Sequence, residues 1–249
     1  MSGTARLAEL LRAADRVLAL TGAGISVPSG IPDFRSPGTG LWEHVNPMDV
    51  AHIAVLRRHP KRFWRFYGDR FAALRGKEPN GAHRALVELE RRGVLEAVVT
   101  QNIDGLHRAA GTRDLIEVHG TIGTSSCPAC GARFELETVR GRLAGAGDGV
   151  PRCDCGAPLR PDVVLFGELL PEAALARASA LAAQVDVLLC VGSSLEVHPI
   201  AELPAITLAA GGQVALVTMG PTPYDARAAV KLEGDVVGEL EGVVAALGG

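Results

Sequence analysis

The chain has 249 residues, 47% of them hydrophobic but only 4% aromatic, and 25 Lys and Arg against 28 Asp and Glu give a formal net charge of −3. This composition describes an Ala/Val/Leu-rich globular protein, either one large domain or one domain carrying an insertion, and excludes the disordered class. With no long basic run and no apolar stretch approaching the roughly 20 residues that span a bilayer, a cytoplasmic protein with no membrane or direct nucleic-acid partner is expected.

In chain order, Leu7, Leu10, Leu11 and Ala14 make a helical stripe, and a strand is predicted over 16–20. Gly22-Ala23-Gly24 follows as in a dinucleotide-binding turn, but Pro28, Gly30, Pro32, Pro37, Gly38 and Gly40 restrict any helix to a short one and predict an irregular loop. Glycines there keep backbone N–H groups accessible to phosphate oxygens, with Asp33, Phe34 and Arg35 as further cofactor contacts. G-x-G alone is equally consistent with a Gly/Pro-rich connection. The arginines scattered over 57–75 read as a solvated helix face. A helix over 82–92 precedes a strand over 95–100. Residues 114–118, 162–166, 185–191 and 213–218 are further short apolar runs of the kind buried in a parallel sheet, with helical segments over 172–183 and 200–210 between the later ones.

The pattern predicts an α/β fold on a doubly wound parallel sheet, interrupted twice. Residues 1–30, 82–120 and 160–249 are assigned to the large domain. Residues 31–81 and 121–159 are assigned to a smaller lobe, and the cleft between the two is the expected active site.

The start of the chain carries no basic region leading into a long apolar core, so the five cysteines are expected to serve metal or thiol chemistry. Cys127 and Cys130 (C-x-x-C) and Cys153 and Cys155 (C-x-C) have the arrangement of a tetrahedral thiolate zinc site, structural because four protein ligands leave no open position. Cys190 sits in a strand-like run and reads as core. After the 95–100 strand come Gln101, Asn102, Ile103 and Asp104, and after the next come His119 and Gly120. Carboxamides and a carboxylate at strand ends can bind ribose or an amide, and a histidine can accept a proton near neutral pH. Helix capping by Asn102 or Asp104, and a turn role for His119, are open alternatives. Gly192, Ser193 and Ser194 make another small-residue turn suited to phosphate or ribose.

Taken together, these segments resemble the sirtuins. G-A-G-I-S at 22–26, G-I-P-D-F-R at 30–35, T-Q-N-I-D-G-L-H at 100–107, H-G at 119–120, the cysteine quartet, R-P-D-V-V-L-F-G-E at 160–168 and G-S-S at 192–194 occur in that family's order. The resemblance implies an NAD-dependent protein-lysine deacylase with a Rossmann-like domain and a small domain combining a helical module and a zinc ribbon. It places NAD on Gly22, Ala23, Gly24, Asp33, Phe34, Arg35, Gln101, Asn102, Ile103, Asp104, Gly192, Ser193 and Ser194. Thr218 and Val236 fall near the adenosine, although many relatives have asparagine where Thr218 stands. Asn102 and Asp104 would line the nicotinamide pocket, and His119 would be the general base, giving nicotinamide and O-acyl-ADP-ribose. Val163, Phe166, Gly167 and Glu168, with Val197, resemble the segments that sandwich an extended acyl-lysine peptide.

Tyr67 and Arg70 stand at i,i+3 and could hold the distal carboxylate of a succinyl or malonyl group, as in the branch that removes acidic acyl groups. On spacing alone, a core Tyr67 and a solvated Arg70 are the favoured reading, and the family context brings the two level. The 30–38 loop looks more like the deacetylase branches. Mono-ADP-ribosyl transfer and a non-catalytic sensor of NAD or acyl-lysine remain alternatives, whereas hydride transfer is disfavoured because no acid about 20 residues beyond Gly24 sits at a second strand end.

Overall fold

Strands whose residues are buried throughout need cover on both faces, and this sets the architecture. The computed structural model describes residues 2–33, 38, 40 and 45–248. Six parallel strands form its main sheet: Val17–Thr21 (β1), Ala97–Thr100 (β2), Leu115–Glu117 (β3), Val187–Val191 (β7), Gln213–Val217 (β8) and Val230–Leu232 (β9). A smaller antiparallel sheet holds Gly120–Ser126 (β4), Arg133–Glu135 (β5) and Arg160–Val163 (β6).

The main order is β3-β2-β1-β7-β8-β9. The chain builds outward from β1 to β3 and returns on the far side of β1, so the direction of winding reverses between β1 and β7. Ligands of open α/β sheets bind at the carboxyl ends of the strands at such a reversal. Helices Gly3–Ala13 (α1), Gly81–Arg91 (α4) and Val236–Leu247 (α9) cover one face through Leu7, Leu11, Leu86, Leu89, Leu240 and Val243. Glu172–Ala182 (α7) and Leu203–Ala209 (α8) cover the other through Ala178, Ala182 and Leu203. Cys190 is buried in that second core, as its sequence context predicts.

A third core joins the two inserted stretches. Ile53–Arg58 (α2) leads into Pro60–Ala73 (α3), whose Phe63, Trp64, Tyr67 and Phe71 pack with Cys127, Cys153, Leu159 and Val139 of Leu136–Gly145 (α6). Trp64 Nε1 donates to the Leu159 carbonyl at 3.1 Å, tying the helical insert to the cysteine-bearing one.

One strand assignment is corrected. Residues 162–166, expected in the parallel sheet, lie outside it. Arg160–Val163 pairs antiparallel with β4, and Phe166 then bonds back to the α2 entry, its N–H donating to Ala51 O (3.1 Å) and its carbonyl accepting from Ile53 N (3.0 Å). A short apolar run fixes burial but not its partner, and the partner here is the polar stretch G-T-I-G-T-S-S. Among the described residues, no helix is long and apolar enough to cross a membrane.

Candidate active site

The carboxyl ends of β1 and β7 meet through glycine. Gly22 N donates to Val191 O (3.0 Å) and Gly24 N to Gly192 O (2.8 Å). A Cβ on Gly22 would come 2.8 Å from Gly192 O, and one on Gly24 2.8 Å from Gly192 Cα; Gly192 itself sits at φ 59° with Ile25 N where its Cβ would be. These glycines therefore let two strand-end loops touch. The expectation that the glycine amides stay accessible to phosphate is corrected for Gly22 and Gly24, which are engaged internally; Ala23 N–H has no partner among the described residues. Gly192→Ala should cost about 1–3 kcal/mol of stability and weaken NAD binding. Chemical denaturation beside NAD titration checks this, and unchanged midpoint and affinity would contradict it.

Behind this contact lies a polar network that sequence reasoning missed. Thr21 and Thr100, the last residues of β1 and β2, are buried, and Thr21 Oγ1 donates to Thr100 Oγ1 (2.8 Å). That leaves His107 Nε2–H, on Leu106–Ala110 (α5), to donate to Thr21 Oγ1 at 2.9 Å. The Asn102 amide donates to Thr100 Oγ1 at 3.1 Å, which fixes the turn after β2. His83 packs against His107 with ring centroids 4.8 Å apart. Burial pushes His83 down to about 4 and His107 to about 3. Both are neutral in the fold, while an unfolded histidine protonates near pH 6.5. Stability should therefore fall as pH drops below about 6.5 and continue falling until about pH 4 and 3, by several kcal/mol in all. Urea midpoints at pH 7.5 and 5 test this; a flat profile would contradict it.

The turn itself gathers the predicted residues. Asn102, 7% exposed, donates from Nδ2 to Gly22 O (3.0 Å) and Ser26 Oγ (3.4 Å), and Ser26 Oγ donates to Asp104 Oδ2 (2.7 Å). Asp104 Oδ1 accepts from Leu106 N (2.9 Å), the first amide of α5, while the N-cap position itself is Gly105. Gln101 Nε2 donates to Ser193 Oγ at 2.9 Å, linking the β2 and β7 ends. Ser26, which no motif singled out beyond its place in G-A-G-I-S, is the hub between Asn102 and Asp104. Ile103 is half-buried against the third core, and Asp33 is half-buried; Phe34 and Arg35 lie outside the described residues.

His119 lies between β3 and β4, half-buried, with Nδ1 2.9 Å from Gln101 O. A carbonyl can only accept, so Nδ1 carries the proton and Nε2 presents a lone pair. Burial lowers its pKa from the usual histidine value against a smaller opposing pull from the Gln101 carbonyl, which favours the neutral form. Such a group can take a proton from a hydroxyl at neutral pH.

The cysteines converge despite the tighter second spacing. Cys127 and Cys155 Sγ are 3.5 Å apart, as are Cys130 and Cys153, and all four lie within 4.8 Å of one another. Sulfurs about 2.3 Å from a tetrahedral ion would be about 3.8 Å apart. The pairs sit on matching turns: Cys127 N donates to Ala132 O and Cys153 N to Ala157 O, both at 2.8 Å, with Gly131 and Gly156 at positive φ. Backbone amides of Cys130 and Ala129 bring Cys127 down to about 7, but Cys130, though favoured by the Ala132 amide, is pushed up to about 12 by its thiol neighbours. Four thiolates at this distance need a cation between them, and the set is positioned to bind zinc.

Residues 22–199 match the Sir2 family. The chain belongs to the Sir2 family. The Sir2 relatives include an NAD-dependent protein deacetylase of Haloarcula marismortui, 47% identical over 244 residues covering 96% of this chain and 92% of that one. Another, from Sulfolobus acidocaldarius, is 43% identical, covering 88% and 85%. Among solved structures, Sir2 with a p53 peptide and NAD+ superposes with a TM-score of 0.90 at 40% identity over 97% of each chain. A Sir2 histidine-to-alanine variant with a deacetylated p53 peptide and 3'-O-acetyl-ADP-ribose gives 0.91 at 40% identity over 96% of each.

Other residues of this Sir2 chain are placed as follows. Val163 is buried and its carbonyl accepts from Arg160 Nη2 at 2.9 Å. Glu168 is occupied in an ion pair with Arg160 (2.8 and 2.9 Å) and accepts from Leu165 N (3.0 Å), so it holds the turn. Gly167, at φ 84°, lies against the His52 ring, where a Cβ would be 2.5 Å from Nε2. Phe166 is 39% exposed, and Val197, half-buried, follows the strained Leu195 at φ 55°. Thr218 follows β8 with its N–H on Leu232 O (3.0 Å), and Val236 opens α9 behind the Asp235 cap. Tyr67 is core, stacked on Phe63 at 4.4 Å. Arg70 is half-buried and lies in the field of Tyr67 and Asp104, and burial lowers its pKa; the solvated reading of Arg70 is therefore not met.

Proposed function

We propose that this Sir2-family chain is an NAD-dependent protein-lysine deacylase acting on acetyl-lysine, releasing nicotinamide and forming O-acyl-ADP-ribose. The observation that carries the reading is His119, whose Nδ1–H is fixed on the backbone of the segment that also presents Asn102 and Asp104. NAD supplies a ribose carbon from which nicotinamide can leave. The chain's own groups bind and orient it: Ala23, with Gly22 and Gly24 shaping the turn; Asp33; Gln101, Asn102, Ile103 and Asp104; Gly192, Ser193 and Ser194; and Thr218 and Val236 near the adenosine. With NAD bound, His119 Nε2 would take a proton from a ribose hydroxyl; the bond from the acyl carbon to the lysine nitrogen breaks, the lysine leaves as the free amine, one water is consumed, and the acyl group ends on that ribose. Val163, Phe166, Gly167, Glu168 and Val197 belong to the walls that would hold an extended peptide, with Glu168 acting through the turn it fixes. Zinc on Cys127, Cys130, Cys153 and Cys155 is structural. The division into 1–30, 82–120 and 160–249 against 31–81 and 121–159 is proposed with β6 as the exception at its edge. A cytoplasmic setting is also part of the proposal, supported by four cysteines gathered unlinked. NAD labelled in the adenine tests the reaction type. Label in a small-molecule product supports deacylation, whereas label on protein would mean ADP-ribosyl transfer.

Removal of acidic acyl groups is a second reading favoured by Arg70. A half-buried guanidinium in the field of Tyr67 and Asp104 supplies the charge that would attract a carboxylate. Arg70→Ala should lower kcat/KM for a succinyl-lysine peptide by about 10–100-fold, the loss of a charge-assisted hydrogen bond of about 1.5–3 kcal/mol, and leave acetyl-lysine turnover within a few-fold. Equal losses on both substrates would contradict an acidic-acyl pocket.

A further inference from the structure

The arginines of residues 57–75 do not form a uniform solvated face. α3 has two sides: Phe63, Trp64, Tyr67 and Phe71 enter the third core, while Lys61, Arg65 and Asp69 line a groove of about 970 Å³. Its opposite wall is α6 and the 148–152 segment. Six Lys and Arg and only two Asp line it, in a chain whose net charge is −3.

The cations are not equivalent. Arg140 pairs with Glu137 (2.9 Å) and Arg152 with Asp148 (2.8 Å). Among the described residues, Arg58, Lys61 and Arg65 make no ion pair, and all three are exposed. Below them the groove is apolar, with Leu143, Val150 and the buried Trp64 along its floor. A cationic rim over an apolar floor suits a chain of carboxylates interspersed with apolar side chains. Lys61 and Arg65, at i,i+4, lie about 5–6 Å apart at Cβ, close to the spacing of alternate side chains along an extended peptide. Of the two ring-bearing residues lining the groove Trp64 is buried, which leaves the exposed His59 as a single ring where single-stranded nucleic acid stacks successive bases on aromatic side chains.

We propose that this groove is an exosite for acidic segments of protein substrates, on the side of α3 away from Tyr67, and that it recruits them independently of the acyl-lysine; this rests on the deacylase reading. Charge at such a site raises encounter rate and selects substrates that peptide-backbone pairing at the acyl site does not distinguish.

The test has two parts. A fluorescein-labelled, lysine-free octapeptide of six glutamates and two leucines is titrated with the full chain, with Lys61→Glu/Arg65→Glu and with Arg58→Glu. Saturable, salt-sensitive binding is expected, weakened at least tenfold in the double variant and less in the single one. The same segment is then joined to an acetyl-lysine peptide through a Gly/Ser linker of about 20 residues, with a reach on the order of 25 Å. It should lower KM in the wild type only, with kcat/KM for the short peptide unchanged in the variants. That unchanged value also shows that they fold. No saturable binding, equal affinity in the double variant, or tighter binding of an eight-nucleotide oligo-dT would overturn the exosite. Failure of the wild type to turn over the short peptide would instead count against the deacylase reading, which the anisotropy measurement does not require.

Discussion

His119→Ala should lower kcat/KM for NAD-dependent deacetylation by about 10²–10⁴-fold, the usual contribution of a positioned general base, without loss of fold. Among the described residues the side chain makes one hydrogen bond, to Gln101 O, and it is only half-buried, so its removal leaves little unsatisfied. In the proposed order it acts on a ribose hydroxyl after nicotinamide has left. Exchange of labelled nicotinamide into NAD should therefore survive in the variant while product formation stops. The wild-type acidic limb carries a second signature. Neutral imidazole is the active form, and burial lowers its pKa, so kcat/KM should decline only below the ordinary histidine value of about 6.5. An acidic limb centred above 7, or full activity in the alanine variant, would remove His119 from the role.

Loss of the zinc site should be as severe for the fold as loss of His119 is for the chemistry. Cys127 and Cys153 are buried within the same core as Trp64, Phe71 and Leu159, and the polar strands β4 and β5 contribute few apolar side chains of their own. Structural zinc sites contribute about 10–16 kcal/mol in isolated fingers, comparable with the whole stability of a typical domain. Cys127→Ser or chelation should abolish stoichiometric zinc, lower the melting temperature by more than about 10 °C and loosen the Trp64–Leu159 contact, visible as a shift of tryptophan emission. Elemental analysis with thermal melts measures both. Well-folded protein with no metal and an unchanged melt would contradict the assignment.

The difference between what could and could not be read from the chain follows from the kind of signal each part carries. Continuous apolar runs at 16–20, 95–100, 185–191 and 213–218 identify strands buried on both faces, and these are β1, β2, β7 and β8. The helical stripes at Leu7 to Ala14 and over 82–92, 172–183 and 200–210 are equally legible, the last beginning with a 3₁₀ turn at Ile200–Glu202 before α8. β4, rich in Gly, Ser and Thr, carries no such signal, because antiparallel pairing with β5 and β6 holds it. The misplaced 162–166 run follows from the same limit. In the site, residue types and order exposed Asn102, Asp104, His119 and the cysteines. The amides of Gly22 and Gly24 read as open to phosphate but are engaged internally, because close approach of two loops and access to phosphate call for the same residue. Thr21, Thr100, His83 and His107 were missed because the network joins four elements. A polar residue closing each of two apolar strands was the available clue.

The most direct test of the central claim is one reaction followed two ways: purified protein with NAD and an acetyl-lysine peptide, measuring released nicotinamide and peptide mass together. Loss of one acetyl group for each nicotinamide released, abolished in His119→Ala, is the predicted result. Nicotinamide release with the peptide still acetylated, or no turnover at all, would contradict it.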